Sequence, residues 1–250
     1  MSPSARRAIL AIPFFVAAAC ARKPPAAKLV LQSAAPDSET SMTEMAQATD
    51  DMSSHQMGMG LHMKMTELRP FNAADRDRAD EIVARLRPAI DRYRDCRAAE
   101  ADGYRIFLPR VPQKMYHFTN WSYGYEAAFR FDPTRPTSLL YEKTSDGYRL
   151  IGAMYTARKN AAVEELDERV PLSVAQWHAH VNICMAPVGR EREMLAPDAR
   201  FGLRGSIATE SACDDAGGRW VPQIFGWMVH VYPFEKDPRQ VWSVERQMTD

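Results

Sequence analysis

Apolar positions from Tyr104 onward recur with the period of strands. The stretches YRIFLP, MYHFTN, TSLLYEK, YRLIGAMYT, WHAHVNICM, WVPQIF and WMVHVYP are rich in aromatic and β-branched residues, and turn signals separate several of them. DGYRI at 102 and DGYRL at 146 are the same Asp-Gly turn leading into a strand. Between Asn72 and Ala101 the period is helical instead. Ile82, Leu86, Ile90, Tyr93 and Arg97 fall at three- and four-residue steps with charge between them. Pro88 is expected to kink or split that helix and Gly103 to close it. Residues 161–170 and 209–218 read as short helices, the second with Thr209 as N-cap and Gly217 as stop. A long helix followed by strands predicts an α+β domain over residues 67–250, with one long helix, a mainly antiparallel sheet and short helices.

The first 66 residues have no such period. MSPSARR followed by AILAIPFFVAAA has the charge and length of an export signal, residues 1–19, and is too short to span a bilayer. Ala17, Ala18 and Ala19 precede Cys20. The stretch resembles a bacterial lipobox, in which Cys20 becomes the lipidated first residue. Such an anchor predicts a lipoprotein held at the outer membrane or facing the periplasm. Residues 20–66 read as a disordered tether rich in Pro, Ala, Ser and charge. The tether ends in a Met- and His-rich segment. Seven of the chain's 14 methionines lie between Met42 and Met65. Thioethers are soft ligands. His55, Met57, Met59, His62, Met63 and Met65 are therefore candidates for capturing Cu(I) or a similar ion.

Composition narrows the function classes. An apolar fraction of 46% supports a sizeable core. Lys plus Arg and Asp plus Glu number 32 each, which argues against a broad nucleic-acid surface. Export permits disulfides. Cys184 and Cys213 are expected to pair, with Cys184 as a metal ligand the alternative, and Cys96 is expected to be a small buried residue.

The strongest chemical signal is WHAHVNIC, residues 177–184. A strand puts Trp177, Ala179, Val181, Ile183 and Met185 on a core face and His178, His180, Asn182 and Cys184 on the other. The two imidazoles then share a side, with Cβ atoms about 7 Å apart, and can converge on copper or zinc. His230, in an apolar strand, is the expected third ligand. His117 is the next candidate and Glu142 the expected carboxylate. The aromatic run at 120–131 reads as core, interface or pocket lining. The sequence lacks HExxH, a complete cupin pattern, a GxSxG elbow, a phosphate loop and CxxC. The expected function is a membrane-tethered metal-binding lipoprotein. A metal-dependent hydrolase or oxygenase at the same site, with Glu142 or Glu126 as its acid or base, and a structural or interaction lipoprotein without metal, are the alternatives.

The segments YHFTNWSYGYEAAFRFDPTRPTSLLYEKTSDGYRLIGAMYT, HAHVNIC and FGWMVHVYPF carry a resemblance. Across most of residues 104–235 the chain resembles a group of uncharacterised bacterial exported proteins. That resemblance implies no activity.

Overall fold

The computed structural model describes residues 60–196, 198–243 and 246. The signal, Cys20, His55, Met57 and Met59 lie outside them. Eight strands form a mainly antiparallel sheet with short helices, an α+β fold. They are β1 (Met63–Met65), β2 (Arg105–Ile106), β3 (Met115–Thr119), β4 (Ser138–Thr144), β5 (Gly147–Ala157), β6 (His178–Met185), β7 (Arg219–Gln223) and β8 (Trp227–Val231). Their order is β1-β6-β8-β5-β4-β3-β2, with β7 also paired to β6. Among the described residues no helix is long and apolar enough to cross a membrane.

One face of the sheet packs on the helices. Tyr116, Phe118, Leu139, Tyr141, Tyr155, Ala179, Val229 and Val231 join Ile82, Val83, Leu86 and Ile90 of helix α1 (Ala73–Asp91) in one core. Each fully buried Leu or Ile contributes roughly 1.5–3 kcal/mol. The Asn72 side chain caps α1 by accepting from the Ala74 N–H. The predicted single helix is three pieces. After α1 come a 3-10 turn at Arg92–Arg94 and helix α2 (Cys96–Ala101). The break is not at Pro88, which lies inside α1 on its exposed side. There the carbonyl that loses its partner meets water, so the helix continues. Asp95 ends the turn in an extended conformation, and its side chain caps α2. Gly103 follows at φ +91°, as expected of a stop.

Cys184 and Cys213 are bonded to each other. They anchor helix α5 (Glu210–Asp215), which follows α3 (Trp121–Ala127) and α4 (Val163–Arg169) in the chain, to β6 beside Phe201 and Ile207. Thr209 caps α5, and Gly217 leaves it at φ +70°. The Cys184 sulfur is thus not a metal ligand. Cys96 is buried as expected, but it is disulfide-bonded as well.

The tether ends earlier than expected, because His62 to Thr66 belong to the domain. β1 pairs with β6, with Met63 opposite His180 and Met65 opposite His178. His62 is buried, its ring nitrogens beside the carbonyls of Val181 and Gly205. It is therefore a structural pin and not a free soft-metal ligand. Thr66 accepts the buried Trp177 N–H through its hydroxyl, 3.0 Å away. A chain beginning at Glu67 is expected to lose about 2–4 kcal/mol of stability, since an orphaned buried N–H alone costs about 1–3 kcal/mol. The urea midpoint measures this against the mature protein. Equal midpoints would show that β1 contributes nothing.

Candidate metal centre

The second face of the sheet carries the histidines. Alternation along β6 holds as far as His180 and places His178 and His180 on this face, with ring centroids 5.7 Å apart. It fails at Asn182, which sits at φ +58°. Asn tolerates this left-handed conformation better than most residues. Ile183 and Cys184 beyond it are both fully buried, so the predicted row of four donors ends at His180.

β8 lies beside β6, and His178 faces Met228 across the pair. His230, two residues on, therefore points to the same side. Its ring stands 5.2 Å from that of His178. His117 arrives from β3. In the strand order β5 and β4 lie between β8 and β3. A flat sheet would put those strands about 14 Å apart. The Nε2 atoms of His117 and His230 are nevertheless 3.5 Å apart. The sheet must curl strongly toward this face. Two local features permit the curl. The β4–β5 register shifts between Leu140 and Tyr141. Gly152 is also so close to β8 that a Cβ there would stand 2.5 Å from the Val231 carbonyl oxygen. The curled ends meet: Phe107, beyond β2, packs on Phe225, between β7 and β8, with centroids 5.7 Å apart.

Two nitrogens on one tetrahedral ion, each 2.0–2.1 Å from it, are about 3.4 Å apart, with ring centroids about 5.2 Å apart. Three of the six ring pairs stand near that spacing: His117–His230, with nitrogens 3.5 Å and rings 5.4 Å apart, His178–His230 at 5.2 Å and His178–His180 at 5.7 Å. Orientation is less advanced than spacing. Among the described residues no three His, Cys, Asp or Glu donors are already set around a common ion position. The backbone fixes where the rings stand, and turning a ring in place is an inexpensive adjustment.

Electrostatics favour neutral imidazoles. Burial holds His117 at about 4, and the neighbouring His180 adds to the effect. Burial likewise holds His180 at about 4, helped by His62. His230 lies well below the ordinary histidine value, first by burial and then through His178, His117 and His180. At neutral pH these rings carry lone pairs and no charge, the form a metal requires. The Tyr232 hydroxyl stands 3.5 Å from Nδ1 of His230, leaving Nε2 toward His117. Outer partners of this kind orient metal ligands.

Four of the expected donors thus come together: His117, His178, His180 and His230. Glu142 does not join them. Its carboxylate is held by Arg149 at the end of the β4–β5 hairpin. Sequence reasoning missed Tyr232 and Met228 as neighbours of the site. The signal was available, because period two along WMVHVYP places Met228, His230 and Tyr232 on one side. The aromatic run at 120–131 is divided: Tyr123 and Phe131 pack against the main core and line a small pocket with Tyr155, away from the histidines. It forms helix α3 (Trp121–Ala127), and Trp121, Tyr125 and Phe129 are largely exposed.

Fold and site together define an α+β protein with four neighbouring histidines, His178 and His230 buried and His117 and His180 half-buried, on the inner face of a curled antiparallel sheet. No family model matches the chain, and neither the curated proteins nor the solved structures contain a match to it.

Proposed function

We propose that this is an exported lipoprotein, tethered to a membrane through Cys20, that binds copper or zinc at His117, His178, His180 and His230. The observation that supports the reading best is the run of four neighbouring imidazoles from β3, β8 and β6, His117 beside His230, His230 beside His178 and His178 beside His180, each pair near ligand spacing. Packing alone is a poor reason for such a cluster. Four imidazoles buried side by side give up hydration, and shape-matched apolar side chains would fill the same space without that loss. The enzyme reading is weaker. Its candidate acid–base carboxylates are engaged elsewhere, Glu142 with Arg149 and Glu126 with Arg130 and Arg135.

One preparation tests metal and anchor together. Mature protein purified without a tag from its own membranes is expected to carry about one equivalent of copper or zinc per chain. Its intact mass should include a lipid at the mature terminus. The chain has four cysteines, and Cys184 is bonded to Cys213, so a lipid on Cys20 and a disulfide of Cys96 within the chain exclude each other; an intact mass that lacks the lipid would remove the anchor. Metal-free protein whose melting temperature ignores added Cu(II) and Zn(II) would remove the metal reading.

A further inference from the structure

Among the described residues, five of the seven methionines lie on the histidine side of the sheet; Met194 packs beside the Cys184–Cys213 cluster and Met185 ends β6. Among the described residues, the larger core on the helix side contains no buried methionine. The buried cluster on the histidine side consists of Met115, Met154 and Met228 with Leu140 and Tyr232. Met63 and Met65 on β1 lie on that side too, half-buried, with the exposed Lys64 between them. Five thioethers thus share the histidine face.

Their placement within the face is more specific than their number. Each histidine of β6 and β8 lies directly opposite a methionine on a neighbouring strand. His178 has Met65 on one side and Met228 on the other. His180 has Met63, and His230 has Met154. Directly opposed residues keep their Cβ atoms about 4.5–5.5 Å apart on the same face. Methionine has three rotatable bonds, so its sulfur can reach the volume that the neighbouring ring nitrogen addresses. Leu, Ile or Val would pack on a sheet face equally well, and the opposite face uses them with aromatics and Ala. A strand edge ordinarily favours charged residues, as at Lys64; Met63 and Met65 need another reason.

We propose that the centre is selective for copper and serves both of its oxidation states, with Met63, Met65 and Met228 supplying thioether sulfur beside the imidazoles. This rests on the metal reading above and narrows it. Imidazole suits Cu(II) and Zn(II); thioether sulfur is a soft donor that adds affinity for Cu(I) and little for Zn(II). The segment read from sequence as the end of a free tether is, on this view, one wall of the site. His62 pins it by its contacts to the Val181 and Gly205 carbonyls.

The test uses the full mature chain and a Met63→Leu/Met65→Leu/Met228→Leu variant. Leu for Met conserves volume and ordinarily costs less than about 1.5 kcal/mol per site. Cu(I) affinity is measured without oxygen by competition with bicinchoninate, and Zn(II) affinity by competition with a chromophoric chelator. The variant should bind Cu(I) at least about tenfold more weakly while its Zn(II) affinity stays within about threefold. X-ray absorption on the wild-type Cu(I) form, which requires no variant, should contain a sulfur shell. If wild type binds both ions but lacks the sulfur shell, or if the variant keeps its Cu(I) affinity, the thioethers are packing only and the four-histidine reading survives. If wild type binds neither ion, both readings fall.

Discussion

A His230→Gln protein is expected to lose stoichiometric metal while keeping its fold. His230 is the hub of the cluster: its Nε2 stands 3.5 Å from that of His117, and its ring 5.2 Å from that of His178. Gln has a similar length and remains uncharged, and its amide can still meet the Tyr232 hydroxyl. It offers no imidazole lone pair. Losing a partner that merely orients a ligand weakens metal sites by about 10–100-fold. Losing a central ligand should exceed that range, so the expected loss is more than about 100-fold for Zn(II) or Cu(II). The fold should survive because the core on the opposite face, including the neighbours Val229 and Val231, is untouched. Glu142→Gln is the control. Its carboxylate belongs to Arg149, so metal affinity should not move. Equal affinities for wild type and His230→Gln, measured by competition titration, would mean that the ion sits elsewhere or that there is none.

What the sequence revealed of this site, and what it hid, follows from the range of each interaction. Period two is local, so WHAHVNIC correctly put His178 and His180 on one side. The same rule overreached at Asn182, where a single left-handed residue resets the alternation. The seven strands beyond Tyr104 and the two short helices were legible for the same local reason. Strand order was not. His117 and His230 are 113 residues apart, and nothing within either strand says that β4 and β5 curl to bring them together. His117 therefore ranked behind His230, although the two are immediate neighbours. The start of the domain was missed because β1 is only three residues long. A polar residue between two methionines is too short to display a period, and the Met- and His-rich composition around it reads as solvated chain. Only the pairing with β6 reveals that Met63 and Met65 are placed against His180 and His178. Pro88 misled in the other direction: its effect depends on whether the carbonyl it orphans faces core or water.

The metal-free protein should lose stability as pH falls from about 6.5 toward 4. In the unfolded chain each histidine titrates near its ordinary value of 6.5. In the folded chain burial holds His117 and His180 at about 4 and His230 well below 6.5. Between those values the unfolded chain binds protons that the folded chain refuses. Stability therefore rises with pH across this window, is complete above about 6.5, and declines as pH drops through it. Each such histidine contributes a slope of up to about 1.4 kcal/mol per pH unit, and three together about 4 kcal/mol per pH unit. That is an upper figure, because His117 and His180 keep part of their surface exposed. His230→Gln removes one of the three, so its stability curve should be flatter by about 1.4 kcal/mol per unit. Urea unfolding of metal-free wild type and variant at several pH values measures both slopes, and parallel curves would show that His230 is not held neutral by the fold. The same depression shapes metal retention. Folded imidazoles that stay neutral down to about 4 offer protons no foothold at pH 5–6. The folded site should thus hold its ion with nearly constant affinity from pH 7 to about 5, an interval over which exposed histidines, titrating near 6.5, would already be releasing theirs.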